Sequence, residues 1–174
     1  PIFIGIHGNS KEPEILENLN YINIDILDHQ EKQLDYQGCM AINAGDNNLI
    51  RKVRFENIRV EDFRQGQLVN LRIFYNEKYC TAPGRGIEDV LFKNISYTGD
   101  NTELSVIEGY NEERKVKNIR FENLRINGKL IYDGMADKPA WYKTSDMARI
   151  YVGAHTEGIV FQNEDSEVAD RVTQ

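Results

Sequence analysis

Acid–base chemistry needs carboxylates or an imidazole held close together, and few residues of this chain stand where strand ends could present them. Asp46 follows the apolar run Met40–Ala44 in Gly45-Asp46-Asn47-Asn48, and Glu108 closes another run and opens Glu108-Gly-Tyr-Asn-Glu-Glu-Arg114. His7, one of three histidines, sits beside Gly8 at the end of the run Pro1-Ile-Phe-Ile-Gly-Ile6. Glu108 with Asp46 or Glu112 would make an acid–base pair if the carboxyls stood about 5–10 Å apart, and His7 could orient such a carboxylate or bind a hydroxyl. The plainer readings are a solvated acidic turn and an exposed loop histidine. If Val69, Leu71 and Ile73 face inward, Asn70 and Arg72 face solvent, because side chains alternate along a strand. Stacked strands lie about 4.8 Å apart, so Asn43 or Asp46 and Arg72 would share one wall. The Arg72 fork there could grip a carboxylate or paired hydroxyls, or simply make a surface salt bridge of little worth. Tyr75, Lys78 and Tyr79 follow Arg72 in the same loop, and Trp141 and Tyr142 lie in the longest insertion. Such aromatic faces suit a ring-shaped, hydroxyl-rich ligand, unless Trp141 only pins its own loop to the flank.

What must position these residues is a repeat. Val53-Arg-Phe-Glu-Asn57-Ile-Arg-Val60 recurs around Asn23, Asn94, Asn123 and, truncated, Asn163, with the asparagines 34, 37, 29 and 40 residues apart. Regular units with irregular loops indicate a solenoid. Val53, Phe55 and Asn57 share one strand face, and Ile58 and Val60 resume it one residue out of phase. The chain therefore turns a corner at Asn57, in the left-handed conformation that Asn tolerates. Equivalent asparagines would hydrogen-bond to one another along the stack. A further apolar run follows each copy, at Met40–Ala44, Val69–Phe74, Leu104–Ile107 and Ile150–Val152. Three short strands per coil, four to five coils and no two-residue hairpins give an all-β chain folded as a right-handed parallel β-helix. Phe55, Phe92, Phe121, Phe161 and Tyr21 form its inward aromatic stack.

Composition narrows the functions. The 174 residues carry 21 basic against 28 acidic side chains, a net charge of −7 without a basic cluster, which argues against a nucleic-acid partner. No apolar stretch has the length of a membrane span. Cys39, in a strand, reads as a small buried residue rather than half of a disulfide with Cys80. No His/Cys cluster has zinc spacing and no acidic loop has calcium spacing, so no metal or cofactor is expected. Residues 1–163 form the β-helix domain, and 164–174 a polar tail or short cap. The run Pro1–Ile6 enters a strand without the cap that solenoid ends normally carry. The expected partners are accordingly the upstream part of a longer parent chain and, through the open first coil, further copies end to end.

The repeated Val-x-Phe-x-Asn-Ile-x-Val unit resembles the coils of β-helix polysaccharide hydrolases, the polygalacturonase and dextranase–isopullulanase families, over almost the whole chain. Ile6-His7-Gly8 stands where those enzymes carry Gly-His-Gly, and Leu71-Arg72-Ile73-Phe74 where they carry Arg-Ile-Lys; the first glycine and the lysine are replaced. The resemblance implies the C-terminal half of a secreted, periplasmic or surface glycoside hydrolase acting on a polysaccharide or oligosaccharide. Asn43, Arg72, Tyr75, Lys78 and Trp141 would contact substrate, with Asp46, His7 and Glu108 as the catalytic candidates within the chain. The families use an Asp-Asp pair, which this sequence lacks, so the main acid and base are expected upstream of residue 1. A non-catalytic glycan-binding or structural solenoid is the alternative. A polysaccharide lyase would want a basic residue near a calcium-held uronate, and the lack of clustered aspartates on one wall weighs against it.

Overall fold

The computed structural model describes residues 1–33 and 37–163; the tail or cap expected over 164–174 lies outside them. Strands alternate between two sheets as the chain proceeds. Sheet A contains β1 (Ile2–Ile6), β3 (Met40–Ala44), β5 (Val69–Ile73), β7 (Ser105–Glu108) and β11 (Ile150–Val152), hydrogen-bonded in that order and all parallel. Sheet B contains β2 (Ile15–Ile26), β4 (Leu49–Val60), β6 (Gly86–Tyr97), β8 (Val116–Glu122), β9 (Leu124–Ile126), β10 (Lys129–Ile131) and β12 (Thr156–Gln162). Each repeat gives one strand to sheet A and one to sheet B, except the fourth, which gives β8, β9 and β10 to sheet B, and every repeat pairs with the one before it. The only α-helix among the described residues is α1, Thr144–Met147.

The asparagine corner forms where the phase slip places it. Asn23, Asn57, Asn94 and Asn123 all have φ between 52 and 59°, and the strand register skips them. Asn57 Nδ2 donates to Asn23 Oδ1 at 3.0 Å, Asn94 Nδ2 to Asn57 Oδ1 at 2.9 Å, and Asn123 Nδ2 to Asn94 Oδ1 at 2.9 Å. Five residues earlier runs a second left-handed corner that the sequence reading does not anticipate, at Asn18, Lys52, Asp89, Asn118 and Gly158. The residue type varies there, so no motif marks it. A side-chain link along it joins Asn118 Nδ2 to Asp89 Oδ1 at 3.0 Å.

Between the sheets the rings stack as expected. Tyr21, Phe55, Phe92, Phe121 and Phe161 lie nearly parallel, with successive centroids 5.3, 5.0, 4.7 and 4.8 Å apart. Ile42, Leu71 and Ile107 close the core from sheet A, fully buried. The first repeat is less covered: Phe3, Ile15, Ile22 and Leu27 are exposed where β1 and β2 form the sheet edges.

One expectation fails. β9 and β10 pair antiparallel through a two-residue turn, Asn127-Gly128, with φ of 49 and 80°. Asn-Gly supplies the two positive φ values that a type I′ hairpin requires. The hairpin puts β10 beside β9 at the edge of sheet B. The insertion after it is tied down by Asp133, whose carboxylate accepts from Thr144 Oγ1 at 2.6 Å and from the Phe161 amide at 2.9 Å.

Candidate functional site

Register on sheet A decides which outward side chains meet. Asn43 lies beside Arg72, and Arg72 beside Glu108, on three successive strands. Arg72 approaches Glu108 with 4.0 Å between Nη2 and Oε2, both partly exposed. The Glu108 side chain also leans over Gly153, where an added Cβ would stand 2.8 Å from Oε1. At the strand ends Tyr75 and Tyr110 meet edge to face, centroids 6.2 Å apart, and both present surface to solvent. Tyr151 adds a third exposed ring from β11. An arginine and a glutamate flanked by exposed rings therefore form one strip.

Asn43 is not part of that accessible strip. The sequence places it facing solvent, but the structure buries it completely. Its Nδ2 donates to Asn70 Oδ1 at 3.0 Å and to the Ile42 carbonyl at 3.0 Å, and Asn70 in turn donates to Gln67. A chain of short amides thus fills the outer face of β3 and β5 beneath Gln67, making Asn43 a structural residue.

Asp46 is also buried, and its carboxylate is committed. Oδ2 accepts from the Gly8 amide at 3.0 Å; Oδ1 accepts from the Thr81 amide at 2.7 Å and from Thr81 Oγ1 at 3.1 Å. Burial works to raise its pKa, but these bonds and the Ala82 backbone outweigh it and hold the carboxyl below the usual aspartate range. A group held ionised in this way is unsuited to act as a general acid. Its role in the structure is to join loops. The segment after β5 folds back over the end of β3, bridging Pro83 to Gly45, and reaches the first loop through Ser10 and Thr81.

That return brings together three residues that sequence spacing keeps 39 and 34 positions apart. His7, Asp46 and Cys80 each follow a different sheet A strand, and their ligand atoms all lie within 4.8 Å of one another. Cys80 Sγ is 3.8 Å from His7 Nδ1. Burial, assisted by the Asp46 charge, raises the Cys80 thiol above its ordinary value. His7 itself is exposed, with its ring 6.1 Å from that of Tyr79, and Lys78 Nζ lies 4.8 Å over Tyr79. Among the described residues these three form the group that could hold a metal, a possibility that local sequence spacing does not reveal. Cys39 is buried and free, as expected, its thiol pushed up to about 12 by burial.

The other candidates fall elsewhere. Glu112 sits in the turn after β7, bound to Lys115 at 3.2 Å and to His155 Nδ1 at 3.0 Å. Lys115 first and His155 second hold its carboxyl below the ordinary glutamate range. Trp141 is 81% exposed, packed edge to face on Tyr142 within the insertion, so it does not pin that loop to the flank. A depression of about 450 Å³ lies on the outer side of sheet B between Asp89, Leu91, Asn118, Arg120 and Val160. It has no aromatic lining, and Arg120 there is paired with Glu122. It is a groove left by the left-handed corners, with less chemistry than the sheet A strip. Of the useful residues, sequence reasoning overlooks Tyr151; Tyr110, Cys80 and Thr81 lie in segments it singles out, the Glu108–Arg114 turn and the loop after Arg72, but no motif marks them individually.

No family model matches this chain, and no curated protein or solved structure matches it significantly.

Proposed function

We propose that the chain is a right-handed parallel β-helix whose sheet A face is the sugar-contacting wall of a polysaccharide-acting glycoside hydrolase. Alternation of the chain between two parallel sheets supports the helix, and right-handed crossover is the rule for parallel connections. The observation that carries the function is the strip Arg72–Glu108 with Tyr75 and Tyr110 at its edge. A guanidinium and a carboxylate can bind hydroxyls or a uronate, and exposed rings pack on sugar C–H faces.

In this reading the acid and base belong to a longer parent chain. The second reading, a glycan-binding solenoid without catalysis, is favoured by the commitment of Asp46 to backbone amides and of Glu108 to Arg72. Reducing-end release from a polysaccharide panel separates the two. The 174-residue chain is expected to release none, whereas a parent carrying an upstream Asp-Asp pair is expected to release reducing ends in chelator. Turnover by the chain alone would overturn the assignment and make Glu108 and Asp46 the catalytic pair; an inert parent that still binds glycan would leave the binding solenoid.

A further inference from the structure

We propose that His7, Asp46 and Cys80 form a three-ligand site for zinc or a similar borderline-soft divalent cation. Each of the three lies in a loop that leaves a sheet A strand, and those strands are neighbours. Their ligand atoms lie within 4.8 Å of one another. Zinc bonds to sulfur and imidazole nitrogen at tetrahedral angles put those two atoms about 3.6 Å apart; Cys80 Sγ and His7 Nδ1 are already 3.8 Å apart.

The surroundings fit a ligand set. The Gly8 and Thr81 amides fix the Asp46 carboxylate, as outer partners fix metal-bound carboxylates, and Oδ2 with one such bond keeps a lone pair for a metal. Cys80 is 3% exposed and His7 lies at the surface, so the cation would enter from the His7 side. Thiolate, imidazole and a single carboxylate select zinc over calcium or magnesium, which take oxygen ligands. Three protein ligands leave the fourth tetrahedral position to water. On loading, the Cys80 S–H bond breaks, its proton passes to solvent, and a sulfur–metal bond forms. A thiol buried this deeply offers no path to a bulky substrate, so a Cys–His nucleophile is the weaker explanation of the same contact. The proposal does not depend on the glycan reading.

Cobalt titration of the metal-free full chain tests it, with zinc as competitor. The expected result is a thiolate-to-cobalt charge-transfer band that saturates at about one equivalent and is bleached by zinc. Cys80→Ser abolishes the band and Cys39→Ser leaves it, since Cys39 is fully buried away from the cluster. His7→Ala weakens cobalt binding at least about tenfold, the smallest loss that removing even an outer partner causes. His7 is exposed, so this variant keeps the test decisive even if Cys80→Ser disturbs its loop. No band with the wild-type chain, a band surviving in Cys80→Ser, or undiminished affinity in His7→Ala would overturn the site.

Discussion

The asparagine corner of sheet B and the loop ends of sheet A are both columns of stacked side chains, and they teach opposite lessons. At the corner one residue type recurs, Asn23, Asn57, Asn94 and Asn123, and each side chain bonds to the next. The repetition has a structural cause: every repeat must turn at positive φ and cap the same polar groups. At the sheet A ends the stacked residues differ: His7, Asp46 and Cys80 gather at one point, and Arg72 lies beside Glu108. Gathering different chemistries at neighbouring strand ends does nothing for the repeat itself. Identity along the repeats marks what holds them together, and departures from identity mark where they can act.

The largest expected effect lies between the two columns and should touch both equally. Phe92→Ala removes the middle ring of the stack, with neighbours at 5.0 and 4.7 Å, and should cost about 3–5 kcal/mol in chemical denaturation. Asp46→Asn comes next at about 1.5–3 kcal/mol, because an amide cannot accept from Gly8 and Thr81 as the carboxylate does. Since the folded-state pKa of Asp46 lies below its unfolded value of about 3.9, its contribution is complete above that value and lost as pH falls through the folded one. The stability gap between wild type and Asp46→Asn should therefore stay level from about pH 5 to 7 and close below about pH 4; a gap widening in acid would contradict the assigned clamp.

Asn94→Ala should cost about 1–3 kcal/mol, combining a left-handed alanine with the loss of two ladder bonds. Asn94→Gly separates the parts, since glycine tolerates the φ of 52° and loses only the bonds. If both variants melt alike, the conformational cost is small and the ladder carries the effect. Arg72→Ala should change stability least, because its Glu108 pair is partly exposed and 4.0 Å apart.

Much of the fold was legible because its causes repeat. The phase slip after Asn57, the ring positions and the four later sheet A runs all appear in the sequence at nearly the places where the structure has them. The second corner was not, since Lys52 and Asp89 can adopt positive φ without advertising it. The Asn127-Gly128 hairpin was legible in principle, and the expectation of an all-parallel stack hid it. Less of the site could be read. Alternation places Asn70 and Arg72 toward solvent and Asn43 on the same wall, but whether such a residue is covered depends on loops such as that of Gln67: Arg72 is partly exposed, whereas Asn43 and Asn70 are fully buried. The meeting of His7 with Cys80 depends on a twelve-residue loop folding back, which no local spacing encodes.

The most direct test of the sheet A wall is a binding isotherm for the full chain against neutral and uronate-containing polysaccharides, comparing Arg72→Ala with Arg120→Ala on the outer face of sheet B. The account predicts that at least one polysaccharide binds, that Arg72→Ala weakens it about tenfold or more with an unchanged melting curve, and that Arg120→Ala leaves it intact. Failure of every polysaccharide to bind, or equal affinity in Arg72→Ala and wild type, would contradict it.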